Sequence, residues 1–177
     1  LGPERALGCV VWPAAEIERP GVIAHHYGDR IPIGEPSGEK SERAGLLSRL
    51  LTAAGIKSPV RPNLRNEIWL KLWGNLSFNP VSVLTNGTLE GLAADAGTRR
   101  VIRDMMLEAK AIGEALGVSF AVDVDERIDM AAKVGAHRTS MLQDVEAGRT
   151  TELDALLGVV IELGEATALP TPSLKLV

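Results

Sequence analysis

A single cysteine, Cys9, stands in 177 residues, so no disulfide can close within the chain. That suits a reducing compartment, and a cytoplasmic setting is expected. Positive charge is also short. The 19 Lys and Arg against 23 Asp and Glu leave a net charge of −4 and a pI near 5.4. This argues against nucleic-acid binding, which rests on a basic face. No apolar run is long enough to span a bilayer, so no membrane partner is expected. His25, His26 and His137 show no ligand spacing, and no zinc, EF-hand, P-loop or nucleophile-elbow pattern is present, so no metal is expected. The Gly-rich fingerprint of dinucleotide binding is missing too. No signal peptide is read, since Glu4 and Arg5 precede a strand-like segment instead of a long apolar core.

What is present fits a globular protein: 45% apolar and 24% charged residues, enough for one ordinary domain or two small ones. The chain opens on Leu1-Gly2-Pro3-Glu4 and closes on Ser173-Leu-Lys-Leu-Val177, which reads as the start of another helix. It is expected to be a piece of a longer protein.

Residues 6–34 read as strands. Residues 9–12 and Val22–Tyr27 are rich in β-branched and aromatic side chains, and Pro20-Gly21 and Gly28-Asp29 are turn signals. Residues 30–34 suit a short third strand, with Pro32 predicting an edge. Residues 41–54 predict an amphipathic helix with Leu46, Leu47, Leu50 and Leu51 on one stripe and Gly55 as its stop. An extended return follows over residues 56–61. After Pro62 the pattern is helical throughout. A helix from about Leu64 meets Pro80, which must end or kink it, with residues 81–84 as a continuation before Asn86-Gly87. Further helices are read at residues 98–116, 124–134, 141–147 and 152–168, the last stopped by Pro170 and Pro172. The boundary between an α/β part and an all-α part falls near residues 57–63, giving domains at 1–62 and 63–177.

The most informative run is Asn66-Glu-Ile-Trp-Leu-Lys-Leu-Trp-Gly-Asn-Leu-Ser-Phe-Asn-Pro80. Lys71, Asn75 and Asn79 recur at helical spacing and share one face. The rest of the helix is largely apolar, which predicts burial. Buried amides and amines cost free energy unless something bonds them, so the stripe calls for a polar partner such as a small molecule. Plainer readings stand beside this one. Glu67 precedes Lys71 at the spacing of a surface ion pair worth ~0.3–0.5 kcal/mol. Asn79 suits a stop before Pro80. Ser140 opens Ser-Met-Leu-Gln143, the pattern of a capping box, although a helix N-terminus also receives carboxylates. Glu152 is an acid in a first helical turn, favoured there by the dipole. Asp123 and Asp125 read as caps or loop acids.

The block Glu67-Ile-Trp-Leu-Lys71-Leu-Trp-Gly-Asn75-Leu-Ser-Phe-Asn79-Pro80 resembles the ketopantoate reductase (2-dehydropantoate 2-reductase) family. So do Thr139-Ser140-Met-Leu-Gln-Asp144 and Arg149-Thr-Thr-Glu152-Leu-Asp154, in the same order and at matching separation. The run from Gly8-Cys-Val-Val-Trp12 through Pro20-Gly21-Val22 to Ile33-Gly34-Glu35 is similar to the end of that family's nucleotide-binding domain. The resemblance implies a mostly α fold. A helical C-terminal domain of the 6-phosphogluconate dehydrogenase C-terminal-like type would follow a remnant, strands plus one helix, of an α/β Rossmann domain.

It further implies an NADPH-dependent oxidoreductase that reduces a 2-oxo acid, ketopantoate, to pantoate in pantothenate biosynthesis. By position, Lys71 matches the catalytic lysine that gives a hydrogen bond and proton to the ketone oxygen. Asn75 and Asn79 match amides that hold substrate oxygens, and Ser140 matches the serine that binds the carboxylate. Glu152 matches the acid that anchors a substrate hydroxyl and supports the lysine. A cation aimed at the ketone oxygen stabilises the charge built there by hydride addition, while the cofactor supplies the hydride. The cofactor-binding residues stay unknown, because the main binding segment is absent; weak NADPH binding or none, and no turnover, are expected of this chain alone. Unpaired strand edges predict self-association through residues 6–34, and a homodimer is one form open to it. Two other readings stay open: a related reductase of another 2-oxo acid, and a non-enzymatic helical module for dimerisation or binding.

Overall fold

Strand-forming residues gather ahead of residue 35 and helix-forming ones after it, and the computed structural model, which describes residues 2–177, follows that division. The chain is mostly helical after a short strand region. It falls into two compact units, one running to Ile68 and one from Trp69 to Val177.

In the first unit, β1 is Gly8–Cys9, β2 Ala14–Arg19, β3 Val22–Tyr27 and β4 Ile33–Gly34. Strands β2 and β3 form an antiparallel hairpin around Pro20-Gly21, where Gly21 takes a φ of 81° that glycine alone adopts without strain. Strand β2 is a strand that periodicity did not single out. The paired Ile17 and Ile23 are 76% and 71% exposed.

Strand β1 pairs antiparallel with β4, and the pairing extends through Val10 N–H to the Pro32 carbonyl (3.0 Å) and Trp12 N–H to the Arg30 carbonyl (3.2 Å). On the other side Ile31 and Ile33 donate to the Lys57 and Pro59 carbonyls, at 2.8 and 3.1 Å, in parallel register. Pro32 therefore lies between two neighbours, against the expectation of an edge. Its carbonyl faces the β1 side and accepts there, and the missing N–H costs one ladder bond on that side only.

Helix α1 is Glu42–Ala53. Ser41 caps it by accepting from Ala44 N–H, and Gly55 ends it at φ 91°. Its buried residue is Ala44, whereas Leu46 and Leu50 are exposed. Periodicity reports an apolar stripe but not what covers it, and no described element of this unit lies over that stripe.

Helix α2, Leu64–Thr85, does not end at Pro80. The proline removes one donor from the ladder, yet the helix continues to Asn86, which ends it in the left-handed region at φ 52°. Helix α3 is Leu89–Ala94, α4 Ala96–Ala115, α5 Val124–Ala132, α6 Ser140–Glu146, α7 Val159–Ala166 and α8 Pro172–Leu176. The short α3 was not anticipated. Asp95 separates it from α4, accepting from Thr98 N–H as the α4 cap. Before α7 the chain makes a π-helical turn, Asp154–Gly158.

The core of the second unit gathers buried residues of α2, α4, α5, α7 and α8. Trp73, Leu76, Ile102, Met105, Ile112, Ile128, Val160 and Leu174 are all fully buried there. Trp73 satisfies its indole N–H on the Met106 carbonyl at 2.6 Å and packs on Phe120 with ring centroids 4.6 Å apart. Burying these residues fixes α2 by one face, the support that a site on its other side calls for. Among the described residues no helix is long and apolar enough to cross a membrane.

Candidate active site

Lys71, Asn75 and Asn79 all fall on α2, the spacing setting them turn above turn. Lys71 and Asn75 are half-buried and Asn79 is 6% exposed. No hydrogen bond among the described residues reaches the side-chain amide of Asn75 or Asn79. Asn79 does not stop the helix. Its carbonyl accepts the Ser82 hydroxyl at 2.7 Å, on the turn that Pro80 interrupts. Glu67, at the other end of the stripe, meets Arg30 Nη2 at 2.8 Å and Arg61 Nε at 3.2 Å.

The start of α6 is built differently from the expected capping box. The cap is Thr139, whose hydroxyl oxygen accepts from Leu142 N–H at 3.2 Å, while Gln143 donates to the Arg138 carbonyl at 3.1 Å. Threonine and serine cap comparably, so the adjacent pair left the sequence ambiguous by one position. The correction releases Ser140. It is the first helical residue, exposed, and its hydroxyl makes no hydrogen bond among the described residues. Ser82 Oγ and Thr139 Oγ1 are 2.6 Å apart, which ties the start of α6 to α2 one turn beyond Asn79.

Glu152 lies just ahead of the last helical stretch, exposed, and its main-chain carbonyl accepts from Leu156 N–H at 3.0 Å. The loop before it is anchored to α6 by Arg149 Nε on Asp144 Oδ1 at 2.7 Å. The helix after it opens through the π-turn, a local widening often found at functional sites.

One feature escaped the sequence reading. A Cβ on Gly74 would stand 2.2 Å from Arg127 Nη2, so α5 lays a guanidinium directly on the α2 backbone beside Asn75. A glycine in mid-helix is the signal that could have shown such a close approach. Of the acids noted, Asp123 caps α5, and Asp125 pairs with Arg99 (3.5 Å) and Arg103 (3.1 Å) on α4. Among the described residues no cluster of His, Cys, Asp and Glu could hold a metal.

The family profile described as "Ketopantoate reductase PanE/ApbA C terminal" matches residues 63–177. A 2-dehydropantoate 2-reductase of Mesorhizobium japonicum is 55% identical over 177 residues, covering 100% of this chain and 54% of that protein. A crystal structure from Ralstonia solanacearum MolK2, solved as a candidate ketopantoate reductase, superposes with a TM-score of 0.93 at 36% identity, over 99% of this chain and 54% of the other. D-mandelate dehydrogenase, solved with NADH and anilino(oxo)acetate, shares the fold alone: TM-score 0.82, 20% identity, 93% of this chain and 55% of that one. The chain thus spans about half the length of the relatives it matches. With the helical unit, the α2 block and the two downstream blocks all inside the matched region, this chain belongs to the ketopantoate reductase family.

Proposed function

We propose that this chain carries the substrate-holding and proton-donating side of a cytoplasmic, NADPH-dependent 2-dehydropantoate 2-reductase, which reduces ketopantoate to pantoate in pantothenate biosynthesis. The observation that carries the reading is the α2 face. A lysine stands there in line with the side-chain amides of Asn75 and Asn79, and those amides have no hydrogen-bond partner among the described residues. In this proposal Lys71 Nζ donates a hydrogen bond to the ketone oxygen, stabilises the charge that develops there and then gives up a proton to form the alcohol. Asn75 and Asn79 hold substrate oxygens. The Ser140 hydroxyl, not needed for capping, takes the carboxylate, and Glu152 anchors a substrate hydroxyl and supports the lysine.

Reduced nicotinamide supplies the hydride when bound. No Gly-rich strand-to-helix turn that would cradle its pyrophosphate is present in this sequence, and the start of α1 is already filled by Glu35, Ser41 and Arg43. A homodimer belongs to the same proposal, supported by the exposed Ile17 and Ile23.

The test is NADPH oxidation with ketopantoate by the protein expressed from its whole reading frame, with Lys71→Ala as control. Turnover that collapses in the variant supports the reading. Turnover only with other 2-oxo acids moves the substrate. Absence of both turnover and NADPH binding favours the helical-module alternative.

A further inference from the structure

Arg127 presents its guanidinium to α2 at a place made for it. An ideal Cβ on Gly74 would lie 2.2 Å from Nη2 and 3.1 Å from Cζ, so any side chain at position 74 would displace the group. Gly74 lies one turn beyond Lys71 and directly before Asn75. At three residues apart Lys71 and Gly74 are neighbours on the helix surface, and the guanidinium lies against the turn that runs from Lys71 through Gly74 to Asn75.

Among the described residues no acid balances this charge. Three of the four acids in or capping α5 are engaged elsewhere: Asp129 meets Arg99 at 2.8 Å, Asp125 meets Arg103 at 3.1 Å, and Asp123 accepts from Glu126 N–H at 2.7 Å; the fourth, Glu126, is exposed. No hydrogen bond or ion pair to the Arg127 guanidinium is found among the described residues. It is half-buried, and burial alone pulls its pKa below the ordinary arginine value. A partly desolvated cation without a counter-charge is unfavourable, and so is a glycine in mid-helix. The fold accepts both to keep one guanidinium against the Lys71–Asn75 turn.

We propose that Arg127 is a ligand-binding residue of this site, its planar fork receiving an oxyanion group of the bound ligand. Paired oxygens match the guanidinium geometry, which a lysine cannot reproduce. Two sources carry such a group, the carboxylate of the 2-oxo acid and a phosphate of the nicotinamide dinucleotide. Naming them rests on the reductase reading; the anion site itself does not.

The experiment compares Arg127→Met, Arg127→Lys and Gly74→Ala in the protein from the whole reading frame. It reads KM for ketopantoate, KM for NADPH, kcat, and the thermal midpoint without ligand. Arg127→Met is expected to raise one KM by on the order of 10- to 100-fold, the loss of a charged hydrogen-bonded pair, with kcat little changed. The KM that moves identifies the source. The ligand-free midpoint stays level or rises, because an uncompensated charge has been removed. Arg127→Lys recovers part of the loss. Gly74→Ala raises the same KM although the arginine is intact and the helix propensity improved. Both KM values unchanged in Arg127→Met, with or without a fall in midpoint, would overturn the proposal and leave a packing role.

If the wild type reduces no 2-oxo acid, the reductase reading fails on its own. The anion site is then read from Trp69 and Trp73 fluorescence on titration with ketopantoate and, separately, inorganic pyrophosphate. Saturation by either in the wild type that is lost in Arg127→Met supports the site; no such difference overturns it.

Discussion

Ser82 Oγ and Thr139 Oγ1 lie 2.6 Å apart in the buried interior of the helical unit, and the direction of the bond is fixed by what else each group does. The Ser82 hydroxyl hydrogen goes to the Asn79 carbonyl at 2.7 Å, so Thr139 must donate to Ser82. Thr139 also accepts from Leu142 N–H. A single hydroxyl thus caps α6 and pins it to α2 beside the candidate site. Thr139→Val keeps the shape and removes both bonds. It is expected to destabilise the protein by roughly 2 kcal/mol, the sum of a lost cap and a buried hydrogen bond. Thr139→Ser is expected to recover most of that. Urea denaturation of the variants measures it, and a valine variant as stable as wild type would show the bond to be dispensable.

Ser140→Ala separates capping from binding. Since Thr139 is the cap and Ser140 is exposed and unbonded, the alanine should leave stability within about 0.5 kcal/mol of wild type. If Ser140 holds the substrate carboxylate, KM for the 2-oxo acid should still rise roughly tenfold or more. Steady-state kinetics beside a melting curve checks both halves. A melting loss like that of Thr139→Val would return Ser140 to a structural role.

Much of this was legible in the residues. The start of α1 near Ser41 and its stop at Gly55, the reading of Asp123 as a cap and the line of Lys71, Asn75 and Asn79 follow from local chemistry and helical period, which act within a few residues. What escaped depends on partners distant in sequence. Pro32 sits inside a ladder because residues 57–61 return beside it. The exposed leucines of α1 show a stripe whose cover no local rule could supply. Thr139 outcompetes Ser140 because Ser82, 57 positions away, meets its hydroxyl. Arg127 had no local mark at all; only Gly74, on another helix, hinted at it.

Glu108 closes the C-terminal end of the unit. From α4 its Oε1 accepts Ser173 N–H at 2.8 Å and its Oε2 accepts Leu174 N–H at 3.0 Å. Helix α8 has no side-chain cap of its own from Thr171, and Pro172 brings no N–H, so these are its first available donors. A helix this short does not hold itself in water. Glu108→Ala is expected to cost about 1–2 kcal/mol and to loosen α8, lifting the fully buried Leu174 from the core. Hydrogen exchange at Ser173 and Leu174 should accelerate well beyond the rest of the chain. Protection unchanged at those two amides would refute the cap.

Glu35 makes the first unit sensitive to acid. Its two oxygens accept from Arg43 Nε at 2.7 Å and Nη2 at 2.6 Å, and the Ser41 hydroxyl adds a third bond. Arg43 also donates to the carbonyls of Glu4 and Ala6, so the pair joins the start of the chain to α1. The hydrogen bonds from Arg43, then that from Ser41, lower the Glu35 pKa from 4.5 to about 2. A folded pKa below the unfolded one means that the unfolded state takes up the proton first as acid is added. The stabilisation is therefore complete above pH 4.5 and fades as the pH falls toward about 2. Glu35→Gln should be less stable than wild type near neutrality, and the gap should close across that interval. Asp29 and Asp95 are shifted in the same direction by Lys57 and by Thr98, so some acid sensitivity should persist in the variant. Thermal midpoints of both proteins between pH 7 and pH 2 measure the gap. Two curves that run parallel throughout would mean that Glu35 titrates alike in the folded and unfolded chains, and that the Arg43 contact does not hold in solution.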